Sequence, residues 1–205
     1  MSTLTPPKRL PLFLDLTACR VLLVGGGRIA EAKLGPLLDA GATVRAVALR
    51  HRENFLREAA RRGGVELVTG PFEPAHLDGA RLVVSATEDQ ALNALVAREA
   101  QARGIFCNAV DDPKACDLYF GASFRRGPWQ LAIGTEGAFP GLSRTLREVL
   151  DLLIPEGHGE TLADLTRIRN QLRAQTPDPE LRRRRVERLL RAFRRTYFPP
   201  PEARP

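Results

Sequence analysis

The sequence is poor in aromatic residues and in cysteine, and it has no long apolar run. Aromatic side chains make up 6% of the 205 residues, but 43% are hydrophobic, which supports a substantial core and excludes disorder over most of the chain. No apolar run approaches the roughly 20 residues of a membrane-spanning helix. Residues 1–8 are polar and lack the apolar core of a secretory signal. The three cysteines form no CxxC pair, which argues against a zinc ribbon and favours a reducing, cytoplasmic compartment.

The histidines are few and scattered. His51, His76 and His158 form no HxxxH pair and no cluster with cysteine. We therefore predict no protein-bound metal and interpret each histidine as a surface or helix-end residue.

Positive charge is concentrated at one end of the chain. The formal net charge is +7, and residues 182–205 alone hold nine arginines and two glutamates. Residues 1–181 are left with 22 basic and 22 acidic side chains and are neutral. Such a tail is typical of a nucleic-acid arm, an anion-binding lid or a solvated helix face. Because the tail has few aromatic residues for stacking bases, nucleic acid is the least favoured partner.

Short β-branched runs alternate with helical patterns over the first 110 residues. This alternation predicts parallel strands joined by crossover helices, an α/β doubly wound sheet. The predicted strands are residues 20–24, 43–49, 65–69, 82–85 and 105–108, and the predicted helices are residues 28–40, 52–62 and 90–103.

The pattern changes after Pro113. Two strands are predicted over residues 118–124 and 129–133, followed by a helix over residues 143–153. A further amphipathic helix includes residues 162–172, and an arginine-rich helix ends before the prolines at 199–201.

A glycine motif, Gly25-x-Gly27-x-x-Ala30, follows the first predicted strand and opens the first predicted helix. Gly25 permits a tight turn, Gly27 allows a pyrophosphate to approach the backbone, and Ala30 allows close packing of helix on strand. The amino end of the helix supplies N–H groups for the phosphates. In this context the motif predicts a dinucleotide-binding site.

The second predicted strand does not end in the acidic residue that usually binds the adenosine ribose. Leu49 and Arg50 occupy this place instead. An arginine here pairs with the 2′-phosphate of NADP or is an ordinary surface charge, so the residues leave NAD and NADP open.

Polar residues follow the fourth and fifth predicted strands, at the edge where such sheets bind ligands. Thr87 follows the fourth strand, where it is close to a cofactor or takes part in capping the next helix together with Asp89. Asp111 follows the fifth strand, where its carboxylate acts as a general base or belongs to a turn before proline.

Several blocks together resemble one family. They are Leu10 to Leu16, Val24 to Ala30 with Lys33, Leu38 to Ala42, Ala86 to Asp89 with Asn93, and Phe106 to Lys114. In order and spacing they resemble the precorrin-2 dehydrogenase / sirohydrochlorin ferrochelatase family, which is also the N-terminal module of siroheme synthase. The resemblance covers about residues 8–155, and the chain resembles the stand-alone form.

The resemblance implies an NAD-binding Rossmann domain, a small dimerisation segment and a C-terminal helical domain. We place them at residues 1–112, 113–150 and 151–205, and expect a homodimer with no membrane association. The implied activity is NAD-dependent oxidation of precorrin-2 to sirohydrochlorin, with insertion of Fe²⁺ as a substrate in some members.

The resemblance also implies site residues. Asp111 corresponds to the catalytic aspartate of the family. The expected cofactor contacts are Gly25, Gly27, Arg28, Ile29, Leu49, Arg50, Thr87, Asn108, Ala109 and Val110.

Precorrin-2 carries eight carboxylates, for which arginines are suitable partners. We therefore expect substrate contacts from Arg125, Arg126 and Arg144, with Thr135 in the same segment. In the family's glycine- and serine-rich run, this chain has Glu136 in place of a glycine and Phe139 in place of a serine. The alternatives are a tetrapyrrole chelatase or carrier without dehydrogenase activity, and a dinucleotide sensor whose basic tail binds nucleic acid.

Overall fold

The computed structural model describes residues 9–110, 112–135, 139–153 and 158–197. These residues form two compact units. The first unit contains residues 9–120, and the second contains residues 121–135 together with residues 139–153 and 158–197.

The first unit alternates strands with helices along its sequence. The elements are β1 (Arg20–Val24), α1 (Arg28–Asp39), β2 (Thr43–Ala48), α2 (Glu53–Arg62), β3 (Val65–Thr69), β4 (Ala80–Ser85), α3 (Gln90–Ala102) and β5 (Phe106–Ala109). Short 3₁₀ helices over Pro74–Leu77 and Pro113–Ala115 complete it.

The five strands form one parallel sheet in the order β3-β2-β1-β4-β5. Successive side chains of β1 point to opposite faces: Val21 and Leu23 join a core with α1 and α2, whereas Leu22 and Val24 join a second core with α3. Both faces are therefore covered by helices, and the predicted doubly wound α/β fold is confirmed.

The start of α3 is fixed by a side-chain cap. Asp89 accepts hydrogen bonds from the backbone N–H groups of Ala91 and Leu92 through Oδ1, at 2.9 and 3.0 Å. Of the two readings of the segment after β4, capping is thus the observed role of Asp89.

The second unit combines a hairpin with three helices. The elements are β6 (Ala122–Arg126), β7 (Trp129–Ile133), α4 (Pro140–Leu153), α5 (His158–Gln175) and α6 (Pro179–Tyr197). An ion pair between Arg126 and Asp151 joins β6 to α4. An edge contact with a ring-centroid separation of 6.4 Å joins Trp129 of β7 to Phe193 of α6.

Helix α4 leaves an apolar stripe exposed. Leu142, Leu146, Val149 and Leu153 recur at intervals of three and four residues, so they share one face of the helix. All four remain exposed, and we call them the α4 stripe.

The prediction of a strand beginning at Leu118 is wrong, because β6 begins only at Ala122. The carbonyl of Leu118 accepts a hydrogen bond from the side-chain amide of Asn108, and the ring of Phe120 lies 4.2 Å from the ammonium of Lys33. These apolar residues pack as an irregular segment on the first unit, which an apolar run alone does not distinguish from a strand.

Across the parts of the chain that the structure describes, every helix is too short or too polar to cross a membrane.

Candidate functional site

The carboxyl ends of the central strands form one continuous edge in the first unit. Just beyond the strands, Gly25 donates to the carbonyl of Val47 at 2.8 Å and Ala86 donates to the carbonyl of Val24 at 2.8 Å. Val110 donates in the same way to Ser85 at 2.9 Å. The strand order reverses between β1 and β4, and sheets of this kind bind ligands at such a point.

The glycine turn after β1 is wedged between two loops. Gly25 has a φ of +123°, and a Cβ on it would lie 2.4 Å from the carbonyl oxygen of Ala86. A Cβ on Gly26 would lie 2.2 Å from the carbonyl oxygen of Arg50. These two positions therefore accept only glycine without movement of the neighbouring backbone.

The amino end of α1 is open. A Cβ on Gly27 would meet no atom within 4 Å, and no side chain caps the helix there. Within the described residues, the N–H groups of Arg28, Ile29 and Ala30 have no hydrogen-bond acceptor. Free N–H groups at a helix amino end are suitable donors for phosphate. The residues present thus fit a dinucleotide-binding site.

A buried side chain fixes the loop that follows β4. The Oδ1 of Asn93 accepts hydrogen bonds from the hydroxyl groups of Ser85 and Thr87, at 2.7 and 2.8 Å. Its Nδ2 donates to the carbonyl of Thr87 at 3.0 Å. Asn93 therefore holds Thr87 at the sheet edge and keeps the Ala86 carbonyl close to Gly25.

The predicted residues after β5 also lie at this edge. The amide of Asn108 is turned away to the Leu118 carbonyl at 2.9 Å, and Ala109 is buried. Val110 is half-buried. Asp111 lies outside the described residues. Its neighbour Asp112 caps the following 3₁₀ helix through the N–H groups of Lys114 and Ala115.

Two cysteine thiols, those of Cys107 and Cys116, lie next to the segment that follows β5. Burial raises the pKa of the Cys107 thiol to about 12. Burial also raises the pKa of Cys116, whose thiol donates to the carbonyl of Ala109 at 2.9 Å. Both are protonated at neutral pH, so neither is a thiolate nucleophile.

The end of β2 carries exposed arginines around a buried histidine. Leu49 and Arg50 are exposed, as is Arg52. His51 is 9% exposed and stacks on Phe55 with a centroid separation of 5.2 Å. Of the two interpretations, surface residue or helix-end residue, the first is wrong, and the second agrees with its place just before α2. Its Nε2 lies 3.3 Å from the carbonyl of Val68, which assigns the proton to Nε2.

The predicted substrate contacts all belong to the second unit. Arg126 is half-buried and paired with Asp151, whereas Arg125 and Arg144 are exposed and have no ion pair with a described carboxylate. The hydroxyl oxygen of Thr135 accepts from the N–H of Phe139 and the hydroxyl of Ser143, at 3.3 and 3.2 Å. Glu136 lies outside the described residues.

A doubly wound sheet with an open helix end at its switch point defines a dinucleotide-binding domain. Residues 12–122 match the family model described as "Putative NAD(P)-binding", and the chain belongs to this family.

Relatives and solved structures agree with this assignment. The chain is 44% identical to a siroheme synthase of Methylococcus capsulatus over 88% of its own length and 38% of the relative's. It is 41% identical to a siroheme synthase of Chromobacterium violaceum, again over 88% and 38% of the two chains. The solved structure of SirC, a precorrin-2 dehydrogenase, matches with a TM-score of 0.74 and 25% identity over 88% of this chain and 89% of that chain.

These similarities confirm the predicted family resemblance. The chain spans 38% of the length of the siroheme synthases that it matches.

Two features of the site were missed by reasoning from residue types. Asn93 shares one buried face of α3 with Val96, Ala97 and Ala100, and a polar residue at that spacing is the signal that identifies it. The burial of His51 has no such signal, because charged residues flank it on both sides.

Proposed function

We propose that this protein oxidises precorrin-2 to sirohydrochlorin with a nicotinamide cofactor, in the cytoplasm. The observation that carries the proposal is the similarity to SirC, a precorrin-2 dehydrogenase, along nearly the whole of both chains. The open amino end of α1 supports it, because it offers the donors that a dinucleotide requires.

A nicotinamide cofactor bound at this site would supply the hydride acceptor for the oxidation. The role of the chain's own residues is to bind the cofactor and to orient it. Arg28, Ile29 and the glycine turn hold the pyrophosphate, and the loop fixed by Asn93 presents Thr87 beside it. Ala109 and Val110 lie at the end of the neighbouring strand, where the reactive ring of a dinucleotide is expected.

Oxidation releases one hydride and one proton, and the proton needs an acceptor. We assign this role to Asp111, which directly follows Val110 in the sequence. Asp112 has a structural role instead, because its Oδ1 accepts from the N–H groups of Lys114 and Ala115 and caps the following turn.

Carboxylates of the substrate are assigned to arginines of the second unit. Arg125 and Arg144 have exposed guanidinium groups without a described carboxylate partner. Arg126 contributes positive charge but is paired with Asp151, and Thr135 shapes the start of α4.

The test is anaerobic turnover of precorrin-2 by the purified protein with NAD⁺ or NADP⁺. Sirohydrochlorin is expected to form, and Asp111→Asn is expected to lower kcat by about 100-fold or more. Asp112→Asn is the matched control, because its side-chain oxygen still accepts the capping hydrogen bonds and activity should be retained. Absence of oxidation with either cofactor would overturn the proposal.

Iron insertion is tested separately, with Fe²⁺ supplied as a substrate together with sirohydrochlorin. In the described parts of the chain, no three His, Cys, Asp or Glu side chains come together as metal ligands. For this reaction we propose Asp111 as the base that removes protons from the pyrrole nitrogens.

A homodimer is part of this proposal. The α4 stripe is exposed, and a second copy of the chain is the partner that would bury it. Leu146→Lys is expected to convert the dimer to a monomer in sedimentation velocity. Arg147→Gln on the same helix should leave the sedimentation coefficient unchanged; a monomeric parent protein would rule the dimer out.

A further inference from the structure

Helix α1 carries a lysine whose ammonium group has no anionic partner. The ammonium of Lys33 lies 4.2 Å from the centre of the Phe120 ring, and it forms no hydrogen bond or ion pair with a described residue. A cation–π contact offsets only part of the cost of taking an ammonium group out of water. Burial accordingly lowers the pKa of Lys33 from its ordinary value.

The burial of Lys33 distinguishes it from the other cations of the first unit. Among the described lysines and arginines there, only Lys33 and Arg45 are half-buried, and the rest are exposed to water. Arg45 pairs with Glu66 at 2.9 Å. Lys33 is therefore the half-buried cation whose negative counterpart is missing from the described residues of its unit.

The helix directs Lys33 towards the nucleotide end of the sheet. Lys33 follows Ile29 by four residues, so the two side chains share one side of α1. Side chains of a helix tilt towards its amino end, which here is the open end beside Gly27. The side chain of Lys33 therefore leans towards the edge formed by the carboxyl ends of the strands.

The aromatic partner of Lys33 belongs to a segment anchored beside the end of β5. The carbonyl of Leu118, two residues before Phe120, accepts a hydrogen bond from Asn108 at 2.9 Å. Phe120 and Val110 pack against the same core cluster. Lys33 thus lies on the side of the sheet edge where β5 ends, and the proposed base Asp111 directly follows Val110 in the sequence.

We infer that Lys33 binds one carboxylate of the tetrapyrrole substrate and so positions the macrocycle at this edge. Precorrin-2 carries eight carboxylates, and a half-buried ammonium gains more from a charge-assisted hydrogen bond than an exposed one does. The phosphates of the cofactor have donors of their own, the free N–H groups in the first turn of α1. The inference rests on the proposed function and names a further residue that binds its substrate.

The first test is Lys33→Met, which keeps an apolar stem and removes the charge. Anaerobic titration should show that sirohydrochlorin binds about tenfold more weakly, whereas the affinity for NAD⁺ or NADP⁺ changes less than about twofold. In turnover, the KM for precorrin-2 should rise by a similar factor with little change in kcat.

Two further variants separate a lost charge from other effects. Lys33→Arg keeps a cation and should restore most of the affinity for sirohydrochlorin. Arg81→Met is the matched control, because it removes an exposed positive charge near the amino end of β4, at the opposite edge of the sheet, and should leave the affinity unchanged.

A third variant tests whether Lys33 only anchors Phe120. Phe120→Leu removes the aromatic ring but keeps the ammonium group. If Lys33 contacts the substrate, Phe120→Leu should weaken the binding of sirohydrochlorin less than Lys33→Met does. An equal loss in the two variants would reduce Lys33 to an anchor and overturn the inference.

Amine modification gives a readout that is independent of activity. Only three of the 31 basic residues are lysines, so mass spectrometry after reductive methylation resolves each of them. Sirohydrochlorin should slow the methylation of Lys33 by about fivefold or more, whereas NAD⁺ alone should not. Lys114, whose side chain is exposed, serves as the internal reference.

The inference is overturned if sirohydrochlorin leaves the methylation of Lys33 unchanged, or if Lys33→Met weakens nucleotide binding but not product binding. These outcomes are separate from the proposed activity. A parent protein that binds sirohydrochlorin through Lys33 without oxidising precorrin-2 would sink the activity alone. Oxidation of precorrin-2 with a KM and a product affinity that Lys33→Met does not change would sink this inference alone.

Discussion

The two units of the chain differ in what they do with their apolar side chains. The first unit buries them on both faces of its sheet, in two separate cores. Among the described residues of the second unit, Phe124 is the only buried apolar side chain, whereas the α4 stripe and Leu152 are exposed. The first unit therefore carries its own stability, whereas the second depends on burying its exposed apolar side chains against another surface.

The only tryptophan, Trp129, makes the comparison measurable. It belongs to β7 of the second unit, where it contacts Phe193. Its fluorescence therefore reports on the second unit, while amide hydrogen exchange of β1 and β4 reports on the first.

The largest effect is expected for Gly26→Ala. The new Cβ would collide with the Arg50 carbonyl, and we expect the free energy of unfolding of the first unit to fall by about 3 kcal/mol. Hydrogen exchange of β1 measures it. Gly70→Ala is the control, because a Cβ there meets no atom within 4 Å. An equal loss of unfolding free energy in the two variants would contradict the close packing of Gly26 against the Arg50 carbonyl.

The second largest effect is expected for Asn93→Ala. Removing this amide leaves the hydroxyl of Ser85 and the carbonyl of Thr87 without their partner, at a cost of about 2 kcal/mol. Hydrogen exchange of β4 measures the loss, and nucleotide affinity should fall with it. Gln101→Ala on the exposed side of α3 should leave both unchanged.

A smaller effect is expected from alkaline pH through Cys107. The folded protein keeps the thiol proton up to about pH 12, whereas the unfolded chain loses it above about pH 8.5. Folding stability therefore falls as pH rises through this window, by about 1.4 kcal/mol at one pH unit above 8.5. Denaturant unfolding at pH 8 and 9.5 should show this decline, and Cys107→Ala should lack that share of it.

The smallest effect is expected in the second unit, for Asp151→Asn. The Arg126–Asp151 pair is half-buried, and its loss should lower the free energy of unfolding by about 1 kcal/mol or less. The Trp129 fluorescence transition should shift slightly while hydrogen exchange of β1 stays unchanged. A shift in β1 exchange would mean that the two units unfold together.

The first unit was largely predictable from sequence because each strand and helix matches a local signal. Runs such as Val21 to Val24 stop at glycines, and Asp89 lies where an N-cap is expected. The glycine turn and the end of β2 were located for the same reason.

What escaped prediction depends on contacts between distant residues. Leu118 to Phe120 have the composition of a strand, but Asn108 and Lys33 hold them in an irregular segment. His51 is buried by Phe55 and Val68, which its charged sequence neighbours do not indicate. Tertiary packing therefore determines both the irregular conformation of Leu118 to Phe120 and the burial of His51.

The strand order also sets when the site comes into existence during synthesis. β1 gains its second neighbour only once β4 has been made, and the Ala86 carbonyl that confines Gly25 follows β4 in the chain. Parallel pairing of such distant segments is slow to form. The glycine motif thus emerges from the ribosome well before its turn can fold. A nascent chain that ends before Ala86 contains the motif but does not form the site.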